Sequence, residues 1–64
     1  MPSNKSADLK QVYHKLLQTR FENAKAGIHV IGLDKWISEQ ESTMDSDDVE
    51  YVRRNFKIWA DAQP

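Results

Sequence analysis

Ile28 to Trp36, IHVIGLDKW, is the stretch on which the fold turns. It is mostly apolar and lies in the middle of a chain that is largely polar. Three readings compete: a buried strand, the turn of a DNA-reading helix-turn-helix, or a surface for another protein. The strand fails for want of a partner. Four residues between Gly27 and Gly32 are too few for a sheet, and nothing else in the chain alternates apolar and polar with period two. The β-branched Ile28, Val30 and Ile31 disfavour helix mildly. They read as an extended connector. A short second helix then runs from about residue 33 to 41, with Leu33, Trp36 and Ile37 on its core face and Gly32 or Asp34 as its cap.

Upstream, Leu9, Val12, Tyr13, Leu16, Leu17, Phe21 and Ala24 recur at spacings of three and four, which makes one apolar stripe on a helix. Ser6 reads as its N-cap, Asp8 suits the positive end of the helix dipole, and Gly27 is the natural stop. Helix 1 is therefore expected over residues 7–26, after a polar tail at 1–5. Downstream, STMDSDD at 42–48 is a loop that contains a helix start. Asp45, or equally Ser46, is the cap. Met44 before it can staple onto Val49. Helix 3 is expected over 46–62, with Val49, Val52, Phe56 and Trp59 inward and Tyr51 and Ile58 along its edge. Glu50 and Arg54 stand at the favourable i, i+4 order. The reading is an all-α three-helix domain over residues 6–63, with Leu16, Phe21, Trp36, Val52, Phe56 and Trp59 substantially buried.

Composition narrows the function. The chain has 64 residues, no cysteine, and nine basic against ten acidic residues, a net charge of −1. Disulfide staples and thiolate metal sites are excluded. MPSNKSADLK has no apolar run behind its charges, so it does not read as a secretory leader. No segment reaches the roughly 20 apolar residues of a membrane span. A cytoplasmic protein without a membrane attachment is expected. His14 and His29 belong to different elements and lack a metal-binding spacing, so both read as structural or solvated. The acids Asp45, Asp47, Asp48 and Glu50 fail as a calcium loop, which needs glycine at position 6 and glutamate at position 12. Counted from Asp45, those positions hold Glu50 and Phe56. Capping and the helix dipole explain the same acids. No cofactor, metal or catalytic centre is expected.

Two binding functions remain. A DNA-binding domain of this size is usually strongly basic. Across residues 21–36 a helix-turn-helix would place Gly32 inside its reading helix, with Val30 and Ile31 toward the DNA. With helix 3 as reader, Arg53, Arg54 and Lys57 supply charge, but the entering turn DSDDVE would meet phosphates with like charge. The apolar content points the other way. A core this small cannot cover every large apolar side chain present, and the surplus falls on Val30, Ile31, Tyr51, Ile58 and one tryptophan. Exposed apolar clusters with aromatic and arginine neighbours mark protein interfaces. The expectation is a small regulatory or adaptor protein that binds a protein partner and self-associates as a homodimer. Ile28, Val30, Ile31, Tyr51, Arg53, Arg54 and Ile58 are the candidate contacts. DNA-binding regulation is the runner-up.

Overall fold

The computed structural model describes residues 5–64. Three helices follow in order: α1 (Lys5–Lys25), α2 (Ile31–Thr43) and α3 (Ser46–Asp61). The expected all-α three-helix domain is what the chain forms. Residues 1–4 of the expected tail lie outside the described residues, and so does the side chain of Ser6. The backbone is already helical at Lys5, which puts Ser6 inside α1 and not at its cap.

α1 ends where Gly27 allows it to. Gly27 has a φ of +76°, a left-handed conformation that costs other L-residues roughly 1–2 kcal/mol. Its N–H donates to the Ala24 carbonyl at 3.1 Å, and the Ile28 N–H donates to the Asn23 carbonyl at 2.7 Å. This is the Schellman pair, which satisfies two of the carbonyls left over at the helix end. An apolar contact from Ile28 back to the side chain at position 23 would normally complete the motif. Asparagine stands there, and Ile28 is left 54% exposed.

The connector is shorter than the sequence suggests. Only Ile28, His29 and Val30 separate the turn from α2, and Val30 is the N-cap, extended at φ −113° and ψ 108° with no side-chain cap bond. Neither Gly32 nor Asp34 caps the helix. Ile31 and Gly32 are its first residues, because their helix penalties of a few tenths to about 1 kcal/mol are small beside the packing of the helix that follows. α2 also runs two residues beyond the expected end. At α3 the expected Asp45 is the N-cap, although its side chain makes no cap bond. Met44 and Val49 on either side of it both pack against the core.

The contacts fix the topology. Arg20 pairs with Asp34, and Tyr13 with Glu41, so α2 runs antiparallel to α1. Lys10 lies near Asp48, His14 against Phe56 and Phe21 against Trp59, so α3 runs parallel to α1. α2 and α3 each lie along α1 and meet each other far less. Among the described residues the buried core is Tyr13, Leu17, Ile37 and Val52, with Leu16, Leu33, Met44, Val49 and Phe56 packed around it. Trp36, expected inside, is 60% exposed. α2 has one substantial neighbour, so its inward stripe is only as wide as Leu33 and Ile37. Trp36 precedes Ile37 by one residue, about 100° round the helix. Val12 is turned outward from the buried Tyr13 in the same way. Leu16, Phe21, Phe56 and Trp59 are half-buried, and Val52 is buried.

Candidate functional site

The candidate contacts fall into two groups. Ile28, Val30 and Ile31 sit together at the α1–α2 junction, with Ile31 the most exposed at 78%. Behind them is an open groove of about 320 Å³, lined by Arg20, Asn23, Ala24, Leu33 and Asp34 as well as Ile28, His29 and Val30. Its polar side is a chain of charges. Arg20 Nε lies 3.2 Å from Asp34 Oδ1, and His29 Nε2 lies 2.7 Å from Asp34 Oδ2. The His29 hydrogen bond, with Arg20 assisting, holds the Asp34 carboxyl below the usual aspartate range. A carboxylate orienting an exposed imidazole is half of a nucleophilic device, but the groove lining holds no serine, threonine, cysteine or lysine to activate. The cluster ties the connector to α1.

Tyr51 and Ile58 form the second group, on the outer flank of α3, 57% and 65% exposed. They precede the inward Val52 and Trp59 by one residue each, so their stripe is rotated about 100° from the core stripe. The Tyr51 ring is backed on one face by the Lys10 ammonium, 5.3 Å from its centroid, and the ammonium in turn lies 3.9 Å from Asp48. Arg54 bonds Glu50 at 3.2 Å along the same helix, as the i, i+4 spacing suggests.

Arg53 belongs to neither group. Its Nε donates to the Tyr13 hydroxyl at 2.9 Å, its Nη2 donates to Glu41 Oε2, and the Tyr13 hydroxyl donates to the same carboxylate at 3.2 Å. One residue from each helix thus closes a polar ring around a phenol that is fully buried. Burial pushes the Tyr13 phenol above its ordinary value, partly offset by the arginine. The bonds to Tyr13 and Glu41 raise Arg53 further. No local spacing joins positions 13, 41 and 53, so the ring leaves no trace in the sequence. The paired glutamate and tyrosine also mean that Arg53 is not an uncommitted basic side chain waiting for a phosphate.

Among the described residues no group of three His, Asp or Glu side chains converges as a metal site, and no helix is long and apolar enough to cross a membrane. His14 Nε2 is buried without a hydrogen-bond partner, and its ring stands edge-on to Phe56 with centroids 6.5 Å apart. The chain matches no family model, no curated protein and no solved structure.

Proposed function

We propose that this chain is a small regulatory or adaptor protein that works by binding another protein, and that it self-associates. The observation that carries this reading is the division of its large apolar side chains. Ile28, Val30, Ile31, Trp36, Tyr51 and Ile58 lie outside the core. Single exposed hydrophobics are ordinary. Three within four residues around a helix cap are not, and valine at that cap is a poor choice for stability. Serine, aspartate or asparagine there is worth about 1 kcal/mol more than an aliphatic residue. An exposed valine that forgoes a cap bond fits a surface selected for contact.

Nucleic acid binding draws no such support. Arg53 is held by Tyr13 and Glu41, Arg54 by Glu50, and Arg20 by Asp34. The first turn of α3 carries Asp47 and Asp48.

Two substitutions test the reading. Val30→Ser is expected to raise stability by about 1 kcal/mol, and Ile31→Asp to leave it within about 0.5 kcal/mol. Both are expected to weaken capture of a protein partner from a native lysate at moderate salt. Duplex DNA is expected to bind no tighter than the micromolar range at physiological salt. A salt-sensitive, sequence-selective DNA complex lost on Arg54→Ala, with Ile31→Asp fully functional, would replace this proposal by the DNA-binding one.

A further inference from the structure

The outer face of α3 carries its own complement. Tyr51 and Ile58 are seven residues apart, two turns or about 10.5 Å along the helix, and both are exposed. The charged residues beside them are ordered by sign. Asp47 and Glu50 occupy the N-terminal half, and Arg54 and Lys57 the C-terminal half. A second copy laid parallel would set acid on acid and base on base. A copy laid antiparallel instead sets Glu50 against Lys57 on both sides of the axis, with the two helix dipoles opposed as well.

We infer that this face binds a second copy of the chain, α3 against α3 and antiparallel, about a two-fold axis between Arg54 and Asn55. In that register Tyr51 meets the partner's Ile58, and Ile58 meets the partner's Tyr51. Glu50 lies beside the partner's Lys57, and by symmetry Lys57 beside the partner's Glu50. A two-fold interface needs only one self-complementary patch, and each contact occurs twice. The Lys10 ammonium already backs one face of the Tyr51 ring. Arg54 is near the axis and close to the partner's Arg54, but its charge is balanced by its own Glu50 at 3.2 Å. Asp61 falls opposite the partner's Asp47 at the rim, so this contact and the central arginine pair are the two of like sign. One helix face buries less than the roughly 1,200 Å² of a stable complex. The dimer is therefore weak, with a dissociation constant on the order of tens of micromolar.

This inference rests on the self-association in the proposed function and gives it a face distinct from the connector, so the self-contact and the partner contact fail separately. Sedimentation equilibrium of the full chain over a wide concentration range reads the mass directly. The wild type should rise from 7.5 kDa toward twice that value. Ile58→Asp should abolish the rise while thermal melting at low concentration stays cooperative. Glu50→Lys and Lys57→Glu should each weaken association at least tenfold, the double substitution should restore it, and Asp61→Lys should tighten it. A wild type that stays at monomer mass throughout overturns the inference, as does a dimer indifferent to Ile58→Asp or not rescued by the double charge reversal. Either result leaves the connector surface and its partner as they were. Loss of partner retention in Ile31→Asp with an intact dimer would show the two faces acting independently.

Discussion

The seam between α1 and α3 and the seam between α1 and α2 are built differently. Along α3 the contact is aromatic. Phe21 meets Trp59 edge-on at 5.4 Å and Phe56 at 6.0 Å, Phe56 lies 5.9 Å from Trp59, and His14 adds its ring to Phe56. Such pairs add about 0.5–1.5 kcal/mol each beyond the area they bury. Along α2 the contact is aliphatic and narrow, centred on Ile37 and Leu33, and charged or polar ties hold its two ends: Arg20 to Asp34, and Tyr13 to Glu41. The aromatic residue α2 could have contributed, Trp36, stands in solvent. One seam is held by apolar area, which is insensitive to salt. The other depends more on pairs that salt screens. The contrast teaches what each seam leaves over: α3 turns Phe56 and Trp59 toward α1 and keeps Tyr51 and Ile58 on its exposed flank, while α2 leaves Ile31 and Trp36 outside.

That contrast can be broken by substitution. The largest effect is expected at Phe56→Ala, which removes the ring shared by three aromatic contacts. The cost is about 3 kcal/mol, the low end of the usual range because Phe56 is half-buried, and it should lower the melting temperature by well over 10 °C in a domain this small. Phe56→Ala melting like the parent would remove the α3 seam from the core.

Tyr13→Phe is intermediate. It leaves Arg53 and Glu41 paired with each other in partly solvated positions, so only the phenol's own bonds are lost, about 1 kcal/mol. It also changes the response to alkali. The phenol is raised in the folded chain above its ordinary 10.0, so the fold favours the neutral form. That contribution is complete below pH 10 and is lost as pH rises through the folded value. Denaturation curves from pH 9 upward should fall more steeply for the wild type than for Tyr13→Phe. Equal slopes would mean the hydroxyl is not sequestered.

Trp36→Ala should be the smallest of the three, within about 0.5 kcal/mol of the parent as for surface substitutions generally. A loss like that of Phe56→Ala would put Trp36 back in the core.

Most of the architecture was legible because two of the helices announce themselves by spacing. α1 and α3 fall within two residues of their expected ends, since the stripes Tyr13–Leu17–Phe21 and Val52–Phe56–Trp59 admit only a helix and Gly27 and Asp45 punctuate them. α2 was harder. Its first residues, Ile31 and Gly32, have local preferences against helix, and tertiary packing overrides preferences of that size. Trp36 shows the limit of the periodic argument. Position relative to Leu33 and Ile37 tells which face a residue takes, but not how wide the buried face is, and that depends on how many neighbours the helix finds. Val30, Ile31, Tyr51 and Ile58 are exposed as anticipated from the surplus of apolar residues, and Ile28, a candidate contact outside that surplus, is exposed too. Arg53 looked like part of a basic face because residues 13 and 41, which engage it, are far away in sequence.

The view that the chain completes its apolar contacts by association is tested most directly by the concentration dependence of its melting temperature. A folded state stabilised by a second copy melts higher as protein concentration rises. Circular dichroism melts from a few micromolar to several hundred micromolar should show a steady increase for the wild type and none for Ile58→Asp. A wild-type melting temperature that does not move across that range would contradict self-association and leave the four buried residues and their immediate neighbours to stabilise the chain alone.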